Sequence, residues 1–313
     1  GRNSRPVSLC FTPETGDLFS SDPTPPTTNS AMPAPRVLIL RAPGTNCDLE
    51  TAYAFTMAGA TTEACHINRL LSEPGLLDQF QILCLPGGFS YGDDIAAGRI
   101  LANQFRHHLI EPLLRFRDRG SLILGICNGF QILIKSGVLL ADEPAGAPAT
   151  LTWNSGGLYQ DRWVNLRTAS DRCVFLRGMD RLYLPIAHAE GKFVTRDQAT
   201  LERLRAAGQL ALCYAAPEGG GGPGERPTSV ASGVASGGPA SGSGVGELPF
   251  PHNPNGAWAN VAGVCDETGR VFGLMPHPER HIDPTHHPRW TRLPQRAAGD
   301  GLKLFQNAVE YFA

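Results

Sequence analysis

The sequence predicts an α/β fold: an open, mostly parallel twisted sheet with helices on both faces, plus a small antiparallel strand section. Three observations carry this. The runs Arg36 to Arg41, Gln81 to Leu85 and Leu122 to Ile126 are short and almost continuously apolar, as strands buried on both faces are. Each is followed by a segment of helical spacing, in the strand–helix alternation of a doubly wound parallel sheet. Two of the three end in glycine-rich turns, Pro86-Gly87-Gly88 and Gly125-Ile126-Cys127-Asn128-Gly129. In such sheets sites form outside the carboxyl ends of the strands, so these turns can meet in space.

Taken in order, Arg36–Arg41 is the first strand, and Asp48 to Met57 is a helix ended by Gly59. Gln81–Leu85 is a strand stopped by Pro86-Gly87-Gly88, and a long helix is expected from about Ala97 to Arg117. Leu122–Ile126 is followed by a helix over Gly129 to Lys135, with Gly137 as its stop. Farther on, Asp161–Thr168, Asp180–Ala187 and Ala211–Tyr214 read as strands. Asn260–Met275 reads as a hairpin turned at Asp266-Glu267-Thr268-Gly269. Leu302 to Phe312 is a closing amphipathic helix.

The chain has 313 residues and a formal net charge of −2, with a sequence pI near 6.5. That balance excludes nucleic acid as the main partner, because no basic surplus is available for phosphates. No apolar stretch reaches the roughly 20 residues needed to span a bilayer, and the first residues lack a signal-peptide pattern. Eight cysteines occur without a Cys-x-x-Cys pair; a reducing, cytoplasmic setting is expected. Residues 1–35 are Ser/Thr/Pro-rich and are expected to be a disordered N-terminal extension, with Met32 as a possible true start. The domain then runs over 36–313. Within it, about 217–246 is rich in Gly, Ser, Pro and Ala, too poor in large apolar residues to offset its ordering entropy. It is expected to be a disordered surface insertion rather than a linker between domains.

Cys127 is the candidate nucleophile. It lies between an apolar run and a helix, with glycines on both sides, the layout of a nucleophile elbow. The helix amides and dipole would favour its thiolate. Met275-Pro276-His277-Pro278-Glu279 supplies a base and its orienting group. The prolines keep this segment extended, where residues two apart share a face, so Glu279 can fix the tautomer of His277. Gly88, in the Gly87-Gly88-Phe89 turn, and Asn128 are the candidate oxyanion hole, two backbone N–H donors for a carbonyl oxygen turned negative. Cys47 is a weaker second nucleophile, since no histidine partner is evident for it. His277, His281, His286 and His287 do not have metal-ligand spacing, and no metal is expected.

These motifs together resemble the class I (triad) glutamine amidotransferase family, through Pro86-Gly87-Gly88, Gly125-Ile126-Cys127-Asn128-Gly129 and His277-Pro278-Glu279. Further runs narrow the likeness. Pro43-Gly44-Thr45-Asn46-Cys47-Asp48, Phe89-Ser90-Tyr91-Gly92-Asp93, Pro185-Ile186-Ala187-His188-Ala189-Glu190-Gly191 and Asn253-Pro254-Asn255-Gly256 are similar to the PurQ-type glutaminase subunits of phosphoribosylformylglycinamidine synthase. The resemblance covers about Arg36 to Ala313 apart from the insertion. Ala189, where glycine is more usual, is a departure. The likeness implies a flavodoxin-like domain that hydrolyses glutamine to glutamate through a Cys127–His277–Glu279 triad. Gly87, Phe89, Gln131 and His188 are the substrate-binding residues expected alongside it. It also implies that ammonia passes to a PurL synthetase subunit, with a small PurS subunit, for conversion of formylglycinamide ribonucleotide to the amidine. ATP and Mg²⁺ would belong to that synthetase; no cofactor is expected on this chain, which has no Walker-type loop. The competing expectations are a stand-alone Cys-His-Glu amide hydrolase and a non-catalytic regulatory subunit.

Overall fold

In the computed structural model, residues 33–93, 95–217 and 247–313 are described. The expectations for residues 1–31, for Met32 as a start and for the Gly/Ser insertion lie outside them, save for Pro33–Pro35 and Pro217 at their edges. Strand β1 (Arg36–Arg41) leads to α1 (Asp48–Met57), β2 (Thr61–His66) and α2 (Ile67–Ser72). Then come β3 (Ile82–Leu85), α3 (Arg99–Gln104), α4 (Ile110–Asp118), β4 (Leu122–Ile126) and α5 (Asn128–Ser136). The second half holds β5 (Ala149–Trp153), β6 (Gln160–Thr168), β7 (Arg181–His188), β8 (Glu190–Thr195), α6 (Gln198–Ala206) and β9 (Leu212–Tyr214). It closes with β10 (Val261–Cys265), β11 (Val271–Leu274) and α7 (Leu302–Glu310).

Nine strands form one sheet in the order β2-β1-β3-β4-β11-β10-β9-β6-β7, and β5 pairs with β8 separately. From β2 to β11 every neighbour is parallel; β10, β9, β6 and β7 continue it antiparallel. Every residue of β3, β4 and β11 is buried, so both faces of the parallel half are covered. Helices α1 and α7 pack together through Phe55 and Phe305, ring centroids 4.9 Å apart. The β10–β11 hairpin turns where expected, with Asp266 Oδ1 accepting the N–H groups of Arg270 and Val271 at 3.0 Å each.

Differences from the sequence reading have local causes. The long helix is broken into α3 and α4 by a π turn over Phe105–Leu109. Pro112 follows within α4; it has no N–H and crowds the carbonyl four residues back, which a widened turn accommodates. Strand β2 was not expected because only Cys65 of its six residues is buried, the mark of an edge strand. Among the described residues, no helix is long and apolar enough to cross a membrane.

Candidate active site

Three neighbouring strands deliver the site. β3 and β4 run in register Leu85↔Gly125, and β4 and β11 in register Ile126↔Leu274. Their carboxyl ends therefore bring Pro86–Gly88, Cys127 and Met275–Glu279 side by side. Cys127 stands on the turn between β4 and α5 with φ 51° and ψ −103°. That is left-handed φ, strained for any residue with a Cβ, and the structure holds it with the Cys127 N–H donated to Leu274 O at 2.8 Å. The glycine flanks are steric requirements. A Cβ on Gly129 would overlap the Leu85 carbonyl, and one on Gly125 would stand 2.6 Å from Leu133 Cδ1 and 2.7 Å from the Gly129 carbonyl.

The β6–β7 hairpin returns across the same edge. Pro185 O accepts the His277 N–H at 2.9 Å, and Ala187 O lies 3.8 Å from Cys127 Sγ. Glu279 Oε1 accepts from His277 Nδ1 at 2.6 Å, both side chains buried. This leaves the imidazole Nε2 buried without a hydrogen-bond partner, a free acid–base edge. Burial pulls the His277 imidazolium down. The Glu279 carboxylate, with Cys127 next, outweighs it and holds the pKa well above the ordinary histidine value.

Gly88 has φ 146° and bridges to Thr45. The bonds of that bridge run from Phe89 N–H to Gly44 O (2.9 Å) and from Asn46 N–H to Gly87 O (3.4 Å), so the Gly88 N–H stays out of the ladder. The Asn128 N–H is at the first turn of α5, where amides have no intrahelical acceptor. The Asn128 side chain is braced: Oδ1 accepts Ser90 N–H (3.2 Å), and Nδ2 donates to Asp93 Oδ1 (3.2 Å) and Gln131 Oε1 (2.9 Å).

The four remaining expected residues divide. Gly87 touches the His277 ring, and Phe89 is half-exposed at the rim. The Gln131 carboxamide is engaged at both ends inside the protein, with Asn128 and with the Glu190 carbonyl; this ties the Asn128 turn to the Lys135–Glu190 pair, 3.4 Å apart. His188 is buried, with Nδ1 3.2 Å from Asn154 Oδ1 and Nε2 unpartnered. Burial, then the nearby His277, push its pKa down to about 3, so its ring is neutral.

One sequence expectation is overturned. Cys47 does have a histidine partner: its Sγ lies 4.0 Å from His277 Nδ1. The reason is the order of strands. β1 is hydrogen-bonded to β3, which puts the loop after β1 against Gly87, and Cys47 N–H donates to Gly87 O at 3.2 Å. Spacing along the chain carries no signal of that neighbour; only the pairing of two Gly-containing loops at adjacent strand ends could have suggested it.

Cys47, His277 and Glu279 also hold their ligand atoms within 4.8 Å of one another, the set among the described residues that could take a metal ion. The distances fit a proton network better. Nδ1 and Oε1 are 2.6 Å apart, whereas two such ligands on one tetrahedral zinc stand roughly 3.3 Å apart. The Arg280 guanidinium, 3.2 Å from the sulfur, would repel a cation.

A strained cysteine elbow, a carboxylate-oriented histidine and a pair of free amides across it define the fold class as a triad-type glutamine amidotransferase domain. The family model for the CobB/CobQ-like glutamine amidotransferase domain matches residues 34–226 and 242–312. Among characterised relatives, phosphoribosylformylglycinamidine synthase subunit PurQ of Dehalococcoides mccartyi is 44% identical over 277 residues, 88% of this chain and 97% of that protein. The subunit of the same name from Methanococcus maripaludis (strain S2 / LL) is 37% identical over 290 residues, 89% and 97% of the two chains. The solved structure of PurLQS from Thermotoga maritima superposes with a TM-score of 0.62 at 28% identity, covering 90% of this chain and 100% of the matched one. The chain belongs to the PurQ family of phosphoribosylformylglycinamidine synthase subunits.

Proposed function

We propose that the chain hydrolyses glutamine to glutamate and hands the ammonia to a PurL-type synthetase assembled with a small PurS-type subunit. That complex converts formylglycinamide ribonucleotide to formylglycinamidine ribonucleotide in purine biosynthesis. The observation that carries the reading is the His277 Nε2 edge, buried and unpartnered, beside a cysteine held in strained backbone on the neighbouring strand end.

Cys127 Sγ passes its proton to His277 Nε2 and attacks the side-chain amide carbon of glutamine. The carbonyl oxygen becomes negative and takes hydrogen bonds from the N–H groups of Gly88 and Asn128. His277 returns the proton to the amide nitrogen, the C–N bond breaks and ammonia leaves. Water, losing its proton to Nε2, then attacks the glutamyl thioester. The Cys127 sulfur departs, is reprotonated, and glutamate is released. Glu279 keeps the Nδ1 proton in place and stabilises the imidazolium formed at each stage. His188, neutral, and Phe89 and Gly87 line the glutamine site; Gln131 acts through Asn128. ATP and Mg²⁺ act in the synthetase partner, and this chain carries no cofactor of its own. The setting is the cytoplasm.

A glutamine analogue with a diazoketone in place of the amide tests the nucleophile directly. Peptide mapping by mass spectrometry should find one adduct, on Cys127. An adduct on Cys47, or a fully labelled protein in which Cys127→Ala changes nothing, contradicts the assignment.

A further inference from the structure

The mechanism above uses the Nε2 edge of His277 and one carboxylate on Nδ1. The group behind the ring has no part in it. Cys47 Sγ approaches Nδ1 at 4.0 Å and is itself fixed from two other sides. Its thiol donates to Asn46 Oδ1 at 3.2 Å, and its sulfur accepts from Arg280 Nη2 at 3.2 Å. Arg280 Nε in turn donates to Glu50 Oε1 on α1 at 2.9 Å. Gly87 adjoins the sulfur on the same side of the ring: a Cβ there would stand 2.7 Å from His277 Cε1 and 3.1 Å from Cys47 Sγ. Backbone joins the two residues, with the Cys47 N–H donated to Gly87 O.

A single hydrogen bond to Glu279 fixes one point on the imidazole and leaves the ring free to pivot about it. A second contact near the same edge fixes the plane, and with it the direction of Nε2. We infer that Cys47 is a positioning residue for the glutaminase reaction: its sulfur sets the plane of the His277 ring, and the Glu50–Arg280 pair holds the sulfur. Burial pushes the Cys47 thiol up, against the lowering pull of His277 and Arg280, so it works as a neutral thiol. Sulfur suits the task by size, because a serine oxygen has a shorter bond and a smaller radius and would leave the gap to the ring unfilled. The inference rests on His277 being the catalytic base, as proposed above.

The test uses the complex with its synthetase partners. Cys47→Ala should lower kcat for glutamate release about five- to tenfold, the scale of one lost orienting contact, and leave KM within about twofold. The rate at which iodoacetamide alkylates Cys127, read by peptide mapping, should fall with it, and its pH dependence should move to higher pH. Besides Cys47, the groups that act on His277 in that profile are Glu279, Cys127, His188 and Tyr159, with Arg280 beside Cys47 and Glu279, all unchanged in Cys47→Ala. Cys47→Ser should recover part of the loss. Arg280→Gln, which keeps the thiol but frees it, should move both readouts in the same direction, and it serves if Cys47→Ala fails to fold. Unchanged kcat and alkylation per folded molecule, or a loss confined to KM, overturns the inference. Alkylation needs no glutamine, so it still reports the ring if the wild-type complex proves to have no glutaminase activity, which would instead overturn the functional reading.

Discussion

Substituting Gly87 by alanine separates the position of His277 from the stability of the fold. Gly87 does not have a left-handed φ, so its backbone accepts a side chain. What opposes the methyl is the imidazole: the new Cβ would stand 2.7 Å from His277 Cε1, and ordinary contact begins near 3.4 Å. The ring must retreat by about 0.7 Å, the difference between the two. It cannot do so freely, because Glu279 holds Nδ1 at 2.6 Å and the ring is buried. A displacement approaching 1 Å at a catalytic group costs up to about a hundredfold in rate, while one crowded methyl costs about 1–3 kcal/mol of stability. Gly87→Ala should therefore lower kcat for glutamate release by about 10- to 100-fold. Thermal unfolding should still be cooperative, shifted by only a few degrees. The assay is steady-state glutamate production by the assembled complex, with unfolding followed by circular dichroism. A folded variant with wild-type kcat would refute the reasoning, since the ring could then move without consequence.

Cys127→Ala should abolish turnover by orders of magnitude with little effect on folding. Cys127→Gly should be about 1 kcal/mol more stable than Cys127→Ala in chemical denaturation, because glycine relieves the strain at φ 51°. Gly129→Ala places a Cβ against the Leu85 carbonyl and should destabilise by at least about 3 kcal/mol, read as a lower denaturation midpoint. The His188 ring is held neutral in the fold to about pH 3, while an unfolded histidine takes up its proton near pH 6.5. Its contribution is therefore present above pH 6.5 and is lost as pH falls toward 3, by about 2.5 kcal/mol between pH 7 and 4.5. His188→Gln should flatten the acid slope of stability by that amount; an unchanged slope would show that the ring is hydrated or protonated in the fold.

The parallel half was legible because each of its central strands is buried on both faces and so reads as a continuous apolar run. Arg36–Arg41, Leu122–Ile126 and Asp48–Met57 have the bounds expected of them. Less was visible in β5 and β8, which alternate buried and half-exposed residues and contain Thr, Lys and Glu. Helix α6 has a weak sequence signature although Asp197 caps it, accepting from Thr200 N–H at 2.7 Å; Leu201 and Leu204 are its buried large apolar residues. In the candidate site, the strained turn at Cys127 and the pairing of His277 with Glu279 follow from local restrictions, glycine flanks at the first and prolines at the second. The histidine neighbour of Cys47 and the bonds of the Gln131 carboxamide have no such local signature. Both depend on which strand ends and loops become neighbours, and that is a property of the sheet order.

On the proposed function, Cys127 and His277 make ammonia for a partner. Glutamate release from glutamine, measured for the chain alone and then with its PurL- and PurS-type subunits, ATP and formylglycinamide ribonucleotide, tests it most directly. Slow release by the chain alone and strong stimulation in the full mixture, matched mole for mole by amidine formation, are expected. Rapid hydrolysis by the isolated chain that the partners do not change, or no hydrolysis in either state, would contradict it.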